Sequence, residues 1–186
     1  TADLYQLTAA AAINPPERSR TIEFGTKWEL LDGALSLRTS IYRGTKTWER
    51  NTDLEQAGVQ LLSKKRHTDG IEIEAAGRIT ADWEVFAGLA LMRARIDEAA
   101  PGNNPNIVGL RPRNAPPYTF SVWTTYRLDG NWRIGGGAEA KGRRQVYGVG
   151  GTAAIVPNVA PDYVRYDAML AYEQPRYAFR LNVLNL

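Results

Sequence analysis

The stretch PYTFSVWTTYRLDGNWRIGGGAEAK, residues 117–141, decides the fold class. On each side of Asp129-Gly130-Asn131, every second residue belongs to an uncharged, mostly apolar set, and the charged residues fall between them. Alternation sustained over about ten residues is typical of a β-strand with two different faces. Asp-Gly between two such runs is a signal for a tight turn. Residues 117–128 and 132–141 are therefore predicted to form a β-hairpin.

The same pattern recurs along the chain and predicts eight strands. They cover residues 21–30, 34–43, 70–79, 83–92, 117–128, 132–141, 163–173 and 176–185. Short turns at 31–33, 80–82, 129–131 and 174–175 alternate with long connections at 44–69, 93–116 and 142–162, after a lead-in over 1–20. Short and long connections in alternation are typical of an antiparallel, up-and-down transmembrane β-barrel, whose strands are of this length.

The two faces of the predicted strands differ in charge. On one face the compared positions, which run from Leu35 to Ile41 in the second strand, carry no charge, whereas the other face carries eight acidic and eight basic residues. Six aromatic residues of the uncharged face lie near the short turns: Trp28, Trp83, Tyr126, Trp132, Tyr172 and Tyr177. Tyr and Trp concentrate at membrane–water interfaces because their rings are apolar and their polar groups can stay hydrated. The uncharged face is therefore predicted to contact lipid.

Composition excludes several functional classes. The chain has 186 residues, no Cys and one His, so disulfide scaffolds, thiolate metal sites and Cys nucleophiles are excluded. Its net charge of +3 is too small to indicate nucleic-acid binding. No apolar run approaches the length of a membrane-spanning helix, and the first residues do not resemble a signal peptide.

Several motifs resemble the barrel of TonB-dependent siderophore receptors, and they follow the order found in that family. The family's "NPExS…ExGxKW" segment resembles residues 14–28, and its "GxExE…W" hairpin resembles residues 69–83. Its "NxPxxxxxlwtxY" strand resembles residues 114–126, and its "NVxNLFDxxY" ending resembles residues 181–186. The resemblance covers essentially the whole chain and is more specific for the family than for the ligand.

This resemblance implies a role in iron uptake. The chain is expected to be the C-terminal part of an outer-membrane receptor barrel of about 22 strands, without the plug domain, the early strands or the final strand. The implied ligand is a ferric siderophore, of catecholate type by preference, with no other cofactor, no metal site and no catalysis. The implied partners are a TonB-type energy-transducing protein, acting through the plug, and outer-membrane lipid and lipopolysaccharide.

Two groups of site residues follow from this interpretation. The long connections each carry a net positive charge and contain aromatic residues, as expected of a vestibule that attracts an anionic chelate. The vestibule candidates are Trp48, Arg111, Arg113, Tyr118, Arg143, Arg144 and Tyr147. The candidates for holding the plug from the charged face of the barrel are Arg38, Glu72, Glu74, Arg78, Arg127 and Arg180.

Other interpretations of the sequence remain open. Glu72 and Glu74 could be paired catalytic carboxylates, but luminal charges paired with neighbours such as Arg78 are the preferred interpretation, because a catalytic site also needs a defined pocket and a nucleophile or metal. His67 is expected to be a solvated loop residue, and Gly135-Gly136-Gly137 is expected to relieve crowding or to let an inner domain approach. The whole chain could instead be a closed eight-stranded barrel with a structural or adhesion role, or a soluble β-sandwich that binds carbohydrate or protein.

Overall fold

A computed structural model describes residues 15–50, 61–128, 130–146 and 158–186, and most of these residues lie in β-strands. Within these ranges, one 3-10 turn covers Pro105–Ile107. The strands are β1 (Arg18–Leu30), β2 (Leu35–Arg50), β3 (Leu61–Arg78), β4 (Trp83–Glu98), β5 (Tyr118–Arg127), β6 (Trp132–Lys141), β7 (Arg144–Val146), β8 (Asn158–Ala160), β9 (Tyr163–Gln174) and β10 (Tyr177–Leu184). In the described part of the chain, no helix is long and apolar enough to cross a membrane.

Eight of the strands form one antiparallel sheet in the order β1-β2-β3-β4-β5-β6-β9-β10. All eight predicted strands are confirmed as members of this sheet. β7 and β8 pair only with each other, in the connection between β6 and β9. Among the described residues, β1 and β10 do not pair, so the sheet is open and the closed eight-stranded barrel is not the structure seen.

The strands extend further on the side of the long connections than the sequence predicted. β2 continues to Arg50, β3 begins at Leu61, and β4 continues to Glu98. The prediction of loops at 44–69 and 93–116 is therefore wrong for residues 44–50, 61–69 and 93–98, which belong to strands. The backbone ladder continues beyond the apolar segments, where ion pairs such as Arg43–Asp69 and Lys64–Glu98 replace apolar contacts between strands.

The strand register confirms the separation of the two faces. Cross-strand partners lie on the same face of a sheet, so a row of partners shows what that face presents. One row across seven strands contains no charge: Thr26, Thr39, Ile73, Leu89, Phe120, Ala140 and Val164. The adjacent row, on the other face, is rich in charge: Lys27, Arg38, Glu74, Gly88, Ser121, Glu139 and Arg165.

Burial is the reverse of that in a soluble sheet protein. The apolar face is open, with Phe24 71% and Phe179 67% exposed, whereas the buried apolar residues of the described chain are few, and three of the seven are alanines. No second sheet covers this face in the part of the chain that the structure describes. Exposing so much apolar surface to water is unfavourable, whereas lipid solvates it. The β-sandwich alternative is therefore not supported.

The aromatic residues near the short turns lie on the apolar face, as predicted. Trp83 and Tyr126 are register partners, as are Trp132 and Tyr172, whose ring centroids are 4.8 Å apart. The indole N–H of Trp83 donates to Thr124 Oγ1 at 2.7 Å. Trp83 therefore combines open apolar surface with a satisfied polar group, as an interfacial belt requires.

The triple glycine of β6 accommodates a tryptophan on the charged face. A Cβ on Gly137 would lie 2.5 Å from Cε3 of the Trp123 ring and 2.6 Å from the Val122 carbonyl oxygen. A Cβ on Gly135 would lie 3.2 Å from the same ring. Gly136 faces the opposite side, where the nearest atom would be 3.8 Å away. The predicted relief of crowding is thus local, and the ring of Trp123 causes it.

We expect Gly137→Ala to destabilise the barrel by about 1–3 kcal/mol, because the added methyl group would overlap a backbone oxygen that cannot rotate away. Gly136→Ala is the matched control and should leave stability nearly unchanged. The measurement is the heating temperature at which the receptor moves from the position of the folded protein to that of the unfolded protein in gel electrophoresis. Equal midpoints for the two variants would contradict this packing.

Candidate ligand vestibule and polar wall

The strand register places all six residues predicted to face the plug on the charged face of the sheet. Arg38 is opposite Glu74 in the β2–β3 pair, and Arg78 is opposite Glu84 in the β3–β4 pair. Glu72 follows the same alternation, two residues before Glu74 on β3. Arg127 and Arg180 lie near the short turns, and Arg127 is opposite Arg133. The structure therefore distributes these residues over the whole wall and does not gather them into one site.

An ion-pair network on this wall was not singled out from the sequence. Arg133 on β6 reaches Glu173 on the neighbouring β9 and Glu84 on β4, which lies beyond β5, each at 3.5 Å. Glu173 also lies 3.9 Å from Arg180, and Arg165 lies 3.1 Å from Glu139. Alternation alone places these residues on the charged face. Which of them form pairs depends on the strand order and register. The order includes β9 as the neighbour of β6, although a long connection separates the two strands in the sequence.

Three carboxylates line a shallow concavity on the wall. Glu72, Glu74 and Glu139 border it, together with Thr119, Ser121 and Lys141. The described residues contain no group of three His, Cys, Asp or Glu side chains arranged to hold a metal ion. What the concavity offers chemically is a set of hydrogen-bond acceptors for a basic or hydroxyl-bearing partner.

A second polar cluster organises the extended ends of β2 and β3. Glu49 accepts hydrogen bonds from Arg66 Nε and Nη2, both at 2.8 Å, and from Ser63 Oγ at 3.1 Å. Lys46 lies 2.6 Å from Glu17, whose carboxylate also accepts from the Arg50 backbone N–H at 2.8 Å. Burial opposes ionisation of Glu17, but these hydrogen bonds and the nearby cations hold its pKa below the ordinary value.

The connection between β4 and β5 is packed against these strand ends. Ile107 is fully buried against Ile96, with Leu62, Ala99 and Leu110 around them. The side-chain amide of Asn103 donates to the carbonyl oxygens of Leu61 and Leu62 at 2.8 and 3.2 Å. This small core fixes the connection in place, so the arginines that follow it are presented from a rigid support.

Four of the predicted vestibule arginines lie on two linked segments. The Asn114 backbone N–H donates to the Gln145 carbonyl oxygen at 3.1 Å, which joins the segment of Arg111 and Arg113 to that of Arg143 and Arg144. Burial, and then the positive charges of Arg95 and Arg143, lower the pKa of Arg111. Repulsion between these cations favours binding of an anion there.

The aromatic vestibule candidates are not gathered at these arginines. Trp48 lies near the end of β2, where Lys64 Nζ stands 6.0 Å above its ring. Tyr118 pairs with Leu91, which places it on the apolar face and not with the arginines. Tyr147 lies outside the described residues. The structure thus keeps the cationic part of the predicted vestibule together and separates Trp48 and Tyr118 from it.

His67 is not a solvated loop residue. It lies within β3, its side chain is 27% exposed, and its Nδ1 is 2.7 Å from Asp97 Oδ1 on β4. The expectation failed because β3 and β4 continue past the apolar segment, which brings residues of two predicted loops into register.

We expect Glu49→Gln to loosen the ends of β2 and β3, because two charge-assisted hydrogen bonds from Arg66 would be weakened at a cost of about 1–3 kcal/mol. Hydrogen–deuterium exchange should accelerate for amides in 44–50 and 61–66 and stay unchanged in 35–41. Glu98→Gln, which removes the exposed pair with Lys64, is the control and should change little. Unchanged exchange at the strand ends in Glu49→Gln would contradict the role assigned to this cluster.

Comparisons with known proteins agree with this architecture. The family model described as "TonB dependent receptor-like, beta-barrel" matches residues 1–186. The chain is 35% identical to the probable TonB-dependent receptor BfrD of Bordetella pertussis, over 92% of this chain and 23% of that protein. It is 31% identical to the catecholate siderophore receptor Fiu of Escherichia coli K12, over 92% of this chain and 22% of that protein.

Solved structures show the same relationship. The closed form of the Fiu receptor from E. coli K12 superimposes with a TM-score of 0.72 at 29% identity, over 92% of this chain and 24% of that one. The siderophore receptor PiuA of Acinetobacter baumannii gives a TM-score of 0.74 at 26% identity, over 90% of this chain and 24% of that one. The chain thus spans about a quarter of the length of these relatives. With its open sheet, its uncharged outer face and its polar wall, the chain belongs to the β-barrel family of TonB-dependent outer-membrane receptors.

Proposed function

We propose that the protein to which this chain belongs takes up ferric siderophores across the outer membrane and is energised by a TonB-type partner. The observation that carries the proposal is the open eight-stranded sheet, apolar on one face and charged on the other, in a family whose relatives include siderophore receptors. An open sheet has two unpaired edges, which lipid does not tolerate. The segment therefore functions as part of a larger barrel, completed by the rest of the protein.

The charged wall supports a plug domain in this proposal. Arg38, Glu72, Glu74, Arg78, Arg127 and Arg180 face the enclosed side of the barrel and offer charges of both signs. Ion pairs such as Arg133–Glu84 and Arg165–Glu139 hold part of this wall rigid. A partner with complementary charges would be oriented by such a wall and would still be released when force is applied, because contacts between hydrated charges are individually weak.

The arginine group supplies the attraction for the ligand. A ferric ion bound by three dianionic catecholates carries a net negative charge, and guanidinium groups interact with both its charge and its rings. Arg111, Arg113, Arg143 and Arg144 meet these requirements from two linked segments at the end of the sheet away from the short turns. The name of the Fiu relative, a catecholate siderophore receptor, supports this class of ligand.

The chain contributes binding and positioning, and we assign it no catalytic step. Glu72 and Glu74 lie on an open wall beside Ser40, Ala90 and Gly88 in the strand register. The register partners of the two carboxylates include Arg38, which supports a role for this part of the wall in charge pairing. The family consists of transport receptors, in agreement with this assignment.

We expect Arg111→Gln/Arg143→Gln in the full receptor to weaken binding of a ferric tris-catecholate about tenfold, since two charges that act on the anion are removed. Binding of a neutral ferric trihydroxamate should change little, which separates electrostatic attraction from loss of structure. Lys65→Gln, which removes an exposed cation outside the arginine group, is the matched control. The affinity of the wild type and of both variants for each chelate is measured by titration, with quenching of intrinsic fluorescence as the signal. Wild-type affinity for the catecholate in the double variant would refute the role of the arginine group.

A further inference from the structure

The apolar face ends at one sharply defined row of the sheet. Its last uncharged row on the side of the long connections contains Phe24, Ile41, Ile71, Leu91 and Tyr118. The next row on the same face contains Ile22, Arg43, Asp69 and Arg93. The change from an uncharged to a charged surface is thus complete within two residues along each of β2, β3 and β4, about 7 Å of strand length.

Arginines accumulate beyond this boundary. Arg95 lies opposite His67, two residues beyond Arg93 on the same face. The Ile96 N–H donates to the Leu110 carbonyl at 3.0 Å, and the Gly109 N–H donates to the Ile96 carbonyl at 2.8 Å, so segment 109–111 runs beside β4. Arg111 is consequently close enough to Arg95 for the two charges to interact.

The two carboxylates in this region have closer partners than Arg93 and Arg95, although the charge of Arg93 also contributes to lowering the pKa of Asp69. Asp69 receives hydrogen bonds from Arg43 Nε and Nη2 at 2.6 and 2.7 Å, and this contact holds its pKa below the ordinary value. Asp97 is 2.7 Å from His67 Nδ1. Within the described residues, neither Arg93 nor Arg95 forms an ion pair with a carboxylate. A net positive surface therefore remains on the lipid-facing side of β4.

We propose that Arg93 and Arg95 bind the phosphate groups of the outer-leaflet glycolipid, the lipid A part of lipopolysaccharide. Acyl chains would cover Leu91 and its row, and the phosphates of the same molecule would then lie at the level of the two guanidinium groups. Arginine forms bidentate hydrogen bonds with phosphate, and basic residues just outside the apolar layer attract anionic headgroups. The proposal rests on the outer-membrane placement of the barrel and does not depend on which chelate is transported.

This assignment separates Arg93 and Arg95 from the vestibule. Their net positive connection was expected to contribute to ligand attraction, but both residues belong to β4 and follow the alternation of its apolar face. Arg111 lies at the junction between the two regions. The basic residues between 93 and 116 thus bind two different anions in this proposal. Arg93 and Arg95 bind the lipid on the outer side of β4, and Arg111 binds the chelate near the segment of Arg143.

The test is binding of lipid A to the purified full receptor, measured by native mass spectrometry. We expect Arg93→Gln/Arg95→Gln to bind bis-phosphorylated lipid A about tenfold more weakly than wild type, because two charge-assisted contacts are lost. Lys27→Gln/Lys141→Gln removes the same charge from the opposite face and should bind like wild type. Dephosphorylated lipid A should bind weakly to all three proteins.

Two results would overturn the proposal. One is wild-type affinity of Arg93→Gln/Arg95→Gln for the phosphorylated lipid, and the other is equal affinity of the wild type for the dephosphorylated lipid. Arg93→Gln alone, at an exposed position, serves if the double variant does not fold. Ferric tris-catecholate binding, measured in parallel, should be unchanged by these substitutions. If the wild-type receptor does not bind the chelate, the uptake proposal is refuted, whereas the lipid test remains valid.

Discussion

The backbone hydrogen-bond ladder between antiparallel strands is the constraint on which the rest of this structure depends. In lipid, every backbone N–H and C=O must be paired within the protein. Within the apolar rows, each of the described strands has a paired neighbour on both sides, except β1 and β10 at the outer edges of the sheet. Because the ladder fixes which residues are neighbours, it also makes each row of side chains uniform, with an uncharged row on one face beside a charged row on the other.

The two faces use the same ladder for opposite purposes. On the lipid side, stability comes from apolar side chains in contact with an apolar solvent, and the tightly packed core of a soluble domain is not needed. On the enclosed side, arginines and carboxylates of different strands form ion pairs, as Arg133 does with Glu173 on the adjacent β9 and with Glu84 on β4, beyond β5. Where the strands pass beyond the apolar layer, polar contacts take over both faces, with Glu49 at the centre of one cluster and Asp69 in another.

Much of this arrangement could be predicted from the sequence, and the limits have physical causes. The strands and their faces followed from a period of two, and the short-turn ends from turn residues such as Asp129-Gly130-Asn131. The far ends could not be predicted, because beyond the apolar layer charged residues occur on both faces and the period disappears. The position of His67 in β3 and the ion pairs of Arg133 were missed for a related reason, since both depend on register.

The candidate site was predicted in part. Its arginines come together because a backbone hydrogen bond joins the segments of Asn114 and Gln145, which lie in different connections. Tyr118 was assigned to the vestibule from its nearness to a connection, but as the first residue of β5 it obeys the alternation of that strand. Trp48 has a positive φ of 55°, which interrupts the alternation near the end of β2 in a way that composition does not reveal.

The most direct test of the account is a nitroxide scan along β5 in the full receptor in lipid bilayers, with single Cys substitutions from Thr119 to Tyr126. Labels at Phe120, Val122, Thr124 and Tyr126 should be accessible to dissolved oxygen, which concentrates in lipid. Labels at Thr119, Ser121, Trp123 and Thr125 should be shielded from it. A period of two with this phase is the predicted result. Uniform accessibility along the strand, or the opposite phase, would contradict the assignment of the apolar face to lipid.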